Sequence, residues 1–499
     1  MRAAMQERET KVSPPPGFRL PDLDGCGGLT ATERDPLLLQ TTYYDTDDLR
    51  LSRAGASLRY RNHDGWTVKL PGVVIDGMLI RGEHRVEGRT GAPPEAAIDL
   101  VRAYLRTARI GAVARLRTRR SRIDLVDVDG KSQAEVVDDE VSVLDGRRVA
   151  TRFRELEIEI TEGAPMSLAT EVVARLRDAG AGDPDPTPKI VRALGPRALA
   201  PPDIVCSETV TADSPAADAV RDTIAGSVRR LIAHDAGVRL GDDPEFVHQA
   251  RVATRRLRSD LRTFRSLLDS EWATGLRDEL AWLGAELGSV RDTEVLLELL
   301  RAKTLKLPER DRAAAGHLVG QLVARWEDQR IELLCAIRGD RYCLLLDRLV
   351  DAATGNIPFT DLASGRAGDV LPPLVSGPWA HLRKAVTALS PEPADEALHD
   401  IRIRAKRCRY AAEAVVPVAG RPARRFARRI ASLQEVLGDH HDAIVAQEWL
   451  RDAAAGAMPA EAFAAGELAG LERVDEQSAR AAWPDAWAGA GAKRLRSWW

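Results

Sequence analysis

Apolar and polar residues follow two different periods along this chain of 499 residues. Up to about residue 198, short segments alternate apolar and polar positions between Gly, Pro and Asp turns, which predicts β-strands. From residue 214, apolar positions recur every three or four residues, which predicts helices. The region between these parts is rich in Pro, Ala and Ser, and we predict a linker at 199–213. The pattern therefore predicts an α+β protein of two domains, 3–198 and 214–490.

The same periods locate the individual elements. Predicted strands are QERETKV, SLRYRN, WTVKL, MLIRGEHRVEG, SQAEVVDDEVSVL and RELEIEI, with helices near 94–108 and 167–179. In the second domain we predict helices near 216–235, 271–304, 309–338, 340–353, 379–389, 395–416, 421–452, 459–466 and 468–483. A further, basic helix begins where Asp242 or Asp243 can cap and Pro244 suits the first turn.

The basic helix, VHQARVATRRLRSDLRTFRSLL at 247–268, carries its charge on one face. Only one acid, Asp260, accompanies six arginines, so pairing along the helix cannot neutralise them. Basic groups about 5 Å apart along a helix suit a flexible polyanion. The alternative is a solvated helix face. We favour an anion-binding stripe formed by His248, Arg251, Arg255, Arg258, Arg262 and Arg265.

The stripe returns about 150 residues later in LHDIRIRAKRCRYAAEAV. The matching basic positions are His399, Arg402, Lys406 and Arg409. An L-G-x-x-x-D segment follows each stripe, with Gly288 and Asp292 in the first copy and Gly438 and Asp442 in the second. This repetition predicts a duplicated helical-bundle domain, with repeats at about 216–353 and 379–483. We expect the two stripes to face a common groove.

Composition limits the class of protein. The chain is 44% apolar and 29% charged, which is typical of a soluble globular protein, and its net charge of −3 makes the basic stripes local features. No apolar run reaches the roughly 18 residues of a membrane span, and no signal-peptide core is evident. Five cysteines without a C-x-x-C pair suggest neither disulfides nor zinc. A cytoplasmic protein without membrane contact is therefore expected.

Charges on the predicted strands are segregated by sign. Glu155, Glu157 and Glu159 share one face of RELEIEI, whereas Arg59 and Arg61 share a face of SLRYR. A half-exposed sheet with a solvated charged face is the simpler alternative. Segregation instead favours an antiparallel β-barrel whose lumen binds a polyanion through metal ions. Carboxylates would hold divalent cations, and Lys and Arg would contact phosphate oxygens.

An ordered series of motifs in the first 198 residues resembles CYTH domains, the triphosphate tunnel metalloenzymes. The series begins with the E-x-E-x-K of Glu7, Glu9 and Lys11 and continues through YYDTDDLRL, L-R-x-R, T-x-K, R-x-E, E-x-E-x-E and DPTPKIVRAL. The resemblance implies an eight-stranded antiparallel tunnel that binds triphosphates with Mg²⁺ or Mn²⁺. It implies catalytic roles for Glu7, Glu9 and Lys11, and the metal ligands Glu7, Glu9, Glu157 and Glu159. The implied phosphate contacts are Lys11, Arg59, Arg61, Lys69, Arg81, Arg117, Arg119 and Lys189, although RLRTRRSR leaves open which of Arg117, Arg119 and Arg120 points inward.

The duplicated half resembles the CHAD family through both H-x-x-R-x-x-x-[RK]-x-x-R stripes and both L-G-x-x-x-D segments. The resemblance implies binding of inorganic polyphosphate. The implied contacts are His248, Arg251, Arg255, Arg258, His399, Arg402, Lys406 and Arg409.

These features lead to one main hypothesis and several alternatives. We expect metal-dependent hydrolysis of inorganic triphosphate or a related triphosphate in the tunnel, with polyphosphate binding, including at polyphosphate granules, by the helical domain. A non-enzymatic polyphosphate-binding or granule-targeting protein and an adenylate cyclase remain alternatives. Few aromatic residues interleave with the arginines, which disfavours nucleic acid as the partner.

Overall fold

The computed structural model describes residues 5–75, 78–205 and 210–499. Contacts within the chain divide it into two compact units, Met1–Asp203 and Ile204–Trp499. The first unit is built on an antiparallel sheet, and the second is helical. Within the described ranges, none of the helices combines the length and apolar character required to cross a bilayer.

The sheet of the first unit closes on itself. Its strands are β1 (Met5–Val12), β2 (Thr30–Asp45), β3 (Ser57–Arg61), β4 (Gly65–Lys69), β5 (Val73–Ile75), β6 (Met78–Val86), β7 (Gly111–Val126), β8 (Ser132–Asp145) and β9 (Arg148–Ile160). They follow the order β1-β9-β8-β7-β2-β3-β4-β6, and β6 pairs back with β1. Among the described residues this makes a ring of eight strands, and the short β5 pairs with β6. The predicted antiparallel domain is confirmed.

Short helices accompany the ring. They are α1 (Arg50–Arg53), α2 (Glu95–Leu105), α3 (Ser167–Asp178) and α4 (Lys189–Leu194). The helices expected near 94–108 and 167–179 are thus present as α2 and α3. Strand β2 was missed because its sequence does not alternate cleanly: Pro36 lies in an irregularity between Arg34 and Leu37.

The period of two along β9 decides which side chains enter the ring. Leu156 and Ile158 are fully buried in an apolar core that includes Val172 and Leu176 of α3. Burying each such side chain contributes about 1.5–3 kcal/mol. A slip of one residue would move these side chains to the inside and the glutamates to the outside, so the core fixes the register of the acidic face.

The second unit consists of helices arranged in two halves. The first contains α5 (Ala216–Leu240), α6 (Pro244–Thr263), α7 (Ser270–Thr304), α8 (Glu309–Arg338) and α9 (Asp340–Thr354). After α10 (Ala367–Val370), the second contains α11 (Ser376–Thr387), α12 (Asp395–Ala414), α13 (Val416–Ala454) and α14 (Pro459–Ala490). The two basic helices, α6 and α12, contact each other. The duplicated order basic helix then L-G-x-x-x-D helix is therefore α6–α7 and α12–α13.

Two local sequence expectations have different outcomes. The side chain of Asp243 caps α6 by accepting a hydrogen bond from the backbone N–H of Glu245 at 2.8 Å, as expected. In contrast, the helices predicted at 459–466 and 468–483 form the single helix α14. Gly466 lies inside it, and one glycine in a helix costs only about 1 kcal/mol relative to alanine, which does not end the helix.

The chain ends in an aromatic cluster within the helical unit. The rings of Trp498 and Trp499 lie 6.4 and 4.9 Å from that of Phe426. Trp379 meets the same ring edge-on at 5.7 Å, and Arg496 stacks over Trp379 at 4.4 Å. The two C-terminal tryptophans therefore pack against the unit's own core.

Helix α5 contains a glycine, Gly237, whose lack of a side chain leaves room for the ring of Phe246. A Cβ at Gly237 would lie 2.1 Å from the ring of Phe246, whereas a Cβ at Gly226 would have nothing within 4 Å. We therefore expect Gly237→Ala to lower the unfolding midpoint, because the methyl group displaces Phe246. Gly226→Ala on the same helix should instead stabilise by about 0.5–1 kcal/mol, the ordinary gain from alanine. Guanidinium unfolding followed by helical circular dichroism measures both, and equal shifts of the two variants would contradict the close contact.

Candidate functional site

The interior of the strand ring is a charged cavity of about 220 Å³. Its lining includes acids from β1, β6, β8 and β9 and cations from most of the ring. The lining cations include Lys11, Arg59, Arg61, Lys69, Arg81, Arg120, Arg122 and Lys189. The ring thus encloses acids and cations at close range. Because these charges are removed from bulk water, each must be compensated by a partner of opposite sign.

Three of the four predicted metal ligands come together. Glu9 faces Glu159 across the β1–β9 pair. Glu7 lies two residues before Glu9 and therefore on the same face of β1. One carboxylate oxygen from each of Glu7, Glu9 and Glu159 lies within 4.8 Å of the others. Carboxylate oxygens are the ligands that Mg²⁺ prefers, so this acidic triad fits a divalent cation by donor type and spacing.

Electrostatics support the same conclusion. Burial, followed by the nearby charges of Glu7 and Glu157, raises the pKa of Glu159 to about 7. Glu159 forms no ion pair with any residue that the structure describes. Arg120 and Lys69 act against this rise in pKa but do not cancel it. A carboxylate that is crowded by other carboxylates and forms no ion pair of its own suits a metal ligand, because a bound cation would stabilise its ionised form.

Glu157, the fourth predicted ligand, lies in a second acidic cluster with Asp139 and Glu155. Its two oxygens accept hydrogen bonds from Lys11 at 2.7 Å and from Arg120 at 3.0 Å. Burial tends to raise the pKa of Glu157, but Lys11, Lys189 and Arg120 outweigh it and hold the pKa well below its usual value. Its charge is therefore already compensated, unlike that of Glu159.

Cations bridge the acids of the triad. Arg81 donates from Nε to Glu7 at 2.8 Å and from Nη2 to Glu9 at 2.7 Å. Lys69 contacts Glu7 and lies 3.1 Å from Glu83. Burial opposes ionisation of Glu7, but Lys69 and Arg81 outweigh it and lower its pKa. The cations that could contact a phosphate are thus held in place by the acids that could hold a metal.

Two predicted phosphate contacts do not enter the cavity. Arg117 and Arg119 are exposed on the outer face of β7, whereas Arg120 and Arg122 line the cavity. Of the three arginines whose direction the sequence left open, Arg120 points inward, and the assignment of Arg117 and Arg119 as phosphate contacts is wrong. Leu116, Thr118, Arg120 and Arg122 alternate regularly on the inner face of β7, so Arg117 and Arg119 fall on the opposite face.

Sequence reasoning also missed contributors to the cavity. Asp139 of β8 is fully buried and takes two hydrogen bonds from Arg120, at 2.9 and 2.7 Å. Tyr43 of β2 lines the cavity beside Arg59. The alternation Glu135, Val137, Asp139 in SQAEVVDDEVSVL could have indicated Asp139, since it puts two acids on one face.

The repeat motifs of the helical unit meet in matching pairs. Arg251 lies 2.8 Å from Asp292, and Arg402 lies 3.8 Å from Asp442, so each stripe contacts the aspartate of its own repeat. A Cβ at Gly288 would lie 3.9 Å from Nε of Arg251, and the corresponding distance from Gly438 to Arg402 is 3.8 Å. The L-G-x-x-x-D motif therefore supplies both a flat surface and a counter-charge for the first arginine of each stripe.

The two stripes also meet each other. Burial and the charges of Arg402, Arg255 and Arg251 lower the pKa of Lys406 to about 7. The buried Nε atoms of Arg255 and Arg402 have no hydrogen-bond partner among the described residues. We call Arg251, Arg255, Arg402 and Lys406 the basic groove. The lowered pKa of Lys406 indicates that these side chains repel one another, so the groove carries an excess of positive charge.

The remaining stripe residues have different surroundings. Nδ1 of His399 lies 3.1 Å from Nδ1 of His441, and burial with Arg402 lowers the pKa of His441 to about 4. Burial is the main cause that lowers the pKa of His248, and the charge of the nearby Arg291 is the second. Arg409 is not counted in the basic groove, because its charge is paired: its Nε lies 3.1 Å from a carboxylate oxygen of Glu413.

A third cluster of possible metal ligands, Asp395, His440 and Glu476, lies in the helical unit. The guanidinium of Arg480 contacts both Asp395 and Glu476. A cation of the protein itself therefore already compensates these acids.

Comparisons with known proteins match this architecture. A CYTH domain model matches residues 5–187, and a CHAD domain model matches residues 222–451. The chain is 31% identical over 466 residues to the uncharacterized protein Rv2226 of Mycobacterium tuberculosis (strain ATCC 25618 / H37Rv), covering 86% of this chain and 85% of that protein.

Two solved structures are similar to part of the chain. PptA from Streptomyces chartreusis has 28% identity and a TM-score of 0.46, covering 55% of this chain and 100% of its own. The CHAD domain from the plant Ricinus communis has 27% identity and a TM-score of 0.48, covering 57% and 95%. On the two domain matches and the relative that spans most of its length, this chain belongs to the family of proteins in which a CYTH domain is followed by a CHAD domain.

Proposed function

We propose that the cavity of the strand ring hydrolyses inorganic triphosphate or a closely related triphosphate with the help of a divalent metal ion. The observation that carries the proposal is the acidic triad of Glu7, Glu9 and Glu159, of which Glu7 and Glu159 line one cavity together with cations from several strands. Lysine and arginine side chains bind phosphate oxygens, and Arg can do so through two parallel hydrogen bonds.

Each side chain has a role that follows from its contacts. Glu7, Glu9 and Glu159 would hold Mg²⁺ or Mn²⁺. When bound, such an ion supplies charge neutralisation and an activated water for in-line attack on phosphorus. Lys69 and Arg81, which now neutralise Glu7, become free to contact phosphate oxygens once the acids have another counter-charge. Arg59, Arg61 and Lys189 fix the rest of the phosphate chain.

The cavity favours an inorganic triphosphate over a nucleotide. Of the described residues that line it, Tyr43 is the one aromatic side chain, and it lies beside Arg59. A purine would therefore find little surface for stacking. This observation supports triphosphate hydrolysis rather than the cyclase chemistry that CYTH resemblance also allows.

We propose that the basic groove of the helical unit binds inorganic polyphosphate. Four cations from two repeats converge there, and among the residues that the structure describes, Asp292 and Asp442 are the acids that form ion pairs with them. A polyanion relieves the repulsion among the cations and provides acceptors for the unpartnered Nε atoms of Arg255 and Arg402.

The test of the tunnel is phosphate release from tripolyphosphate by the full chain with Mg²⁺, with Mn²⁺ and with a chelator. Metal-dependent release supports the proposal. Absence of release with both metals would leave a binding protein instead of an enzyme.

Glu159→Gln is the sharpest variant for the metal site. The amide keeps the shape, and no described cation loses an ion-pair partner, so the fold should be retained. We expect turnover to fall roughly 10²-fold or more, the order of magnitude for removing one charge-stabilising group. Glu140→Gln on the exposed part of β8 is the control and should leave turnover unchanged. Wild-type turnover by Glu159→Gln would contradict the assignment of this residue.

Polyphosphate binding should weaken as the pH rises above 7. A bound polyanion favours the charged form of Lys406, so its pKa is higher in the complex than the value of about 7 in the free protein. Below pH 7 the free side chain is already protonated; above pH 7 binding must take up a proton. The affinity should therefore fall by up to about tenfold per pH unit over this range.

The matched control is Lys406→Arg, which stays charged throughout and should bind with little pH dependence between pH 7 and 9. Titrations of the full chain with polyphosphate at constant ionic strength measure both. Equal slopes for the wild type and the variant would show that Lys406 does not contact the ligand.

A further inference from the structure

We propose that a pocket at the C-terminal end of α6 binds the terminal phosphate groups of a polyphosphate chain. This inference rests on the polyphosphate binding proposed above. The pocket has a volume of about 440 Å³ and is lined by residues of α6, α11 and α12 and the turn after α6. Its cations are Arg262, Arg265, Arg404 and Arg407, and we call it the arginine pocket.

The positive charge of the arginine pocket is largely uncompensated. Arg404 is paired with Asp400 at 2.7 Å, but Arg262, Arg265 and Arg407 form no ion pair with any residue that the structure describes. Burial and then neighbouring arginines, with Arg407 first among them, lower the pKa of Arg262. An anion of high charge that enters such a cluster relieves the repulsion among its arginines.

The arginine pocket lies at the end of the first stripe, and the end of the second stripe differs from it. The position that corresponds to Arg262 at the offset of 151 is Glu413. Glu413 accepts contacts from Arg256 at 2.6 Å and from Arg409 at 3.1 Å, so the second stripe ends in a compensated cluster. The basic groove and the arginine pocket both draw cations from the two repeats, but the pocket lies at one end of the first stripe only. A ligand that spans both would therefore be held with a direction.

The pocket also differs from the groove in its walls. Leu374 and Pro378 line it together with the arginines. Apolar side chains offer no hydrogen-bond donors to phosphate oxygens. A phosphate chain that follows α6 into the pocket therefore finds no further contacts along the wall formed by Leu374 and Pro378. From Arg251 to Arg262, both on α6, the helix path is about 16 Å at 1.5 Å per residue.

The chemistry of a chain end matches this surplus of donors. A phosphate group bonded through a single oxygen carries about −1.5 to −2 charges near pH 7 and has three acceptor oxygens. An internal phosphate group is bonded through two oxygens and has lower charge and fewer acceptors. Planar guanidinium groups that lack other partners bind such an end with two parallel hydrogen bonds each.

The experiment compares two polyphosphates of equal length, one with free ends and one with both ends blocked as neutral alkyl esters. The full chain is titrated with each in the presence of a chelator, which suppresses metal-dependent binding in the tunnel. We expect the wild type to bind the free-ended chain about tenfold more tightly or more, the worth of at least one charge-assisted hydrogen bond.

The test variant is Arg262→Ala with Arg407→Ala, which removes no ion pair that the structure describes and should fold normally. It should bind both polyphosphates equally. Arg251→Ala with Arg402→Ala in the groove should weaken both and keep their ratio. Arg59→Ala in the tunnel should leave the ratio unchanged.

Three results would overturn the inference, and they can be told apart. Equal binding of both chains by the wild type would show that ends are not recognised, while groove binding stands. A preference abolished by Arg59→Ala but kept by the pocket variant would assign end recognition to the tunnel. Failure of the wild type to bind either chain would refute polyphosphate binding itself.

Discussion

Oppositely charged side chains enclosed by the strand ring must neutralise one another, and the arrangement of the cavity follows from this constraint. Removing one partner of a buried ion pair typically costs 3–5 kcal/mol, because the other charge stays behind without water. Arg81 between Glu7 and Glu9, and Arg120 between Asp139 and Glu157, meet this requirement with several hydrogen bonds each. The side chains are thereby held in position before any ligand binds.

Glu159 is the exception among these acids, because its charge is not compensated by an ion pair with any described residue. It lies in the same cavity, and burial, followed by the charges of Glu7 and Glu157, raises its pKa to about 7. A divalent cation would satisfy Glu159 and compete with Lys69 and Arg81 for Glu7. Cations displaced in this way remain within the cavity, where a triphosphate can use them. Metal and phosphate binding are therefore expected to assist each other.

The helical unit handles charge in the opposite way. Its groove and its arginine pocket carry more cations than nearby acids can neutralise, and the repulsion is tolerated because many of these side chains are only partly buried. An anion binding there has few internal ion pairs to displace. One unit thus encloses mostly compensated charge and the other presents uncompensated positive charge, a difference that agrees with the separate roles proposed for them.

The sequence by itself determined the two-part architecture, the duplication and the residues that share each face, because strands and helices impose fixed periods on their side chains. It placed Glu155, Glu157 and Glu159 together and aligned Arg251 with Arg402. Only the tertiary structure decided which face of β7 enters the ring, since RLRTRRSR has arginines in both phases and the pattern alone does not tell the two faces apart. It alone separated Glu157 from Glu159 and brought Arg262 beside Arg407, because those neighbours come from elements distant in the chain.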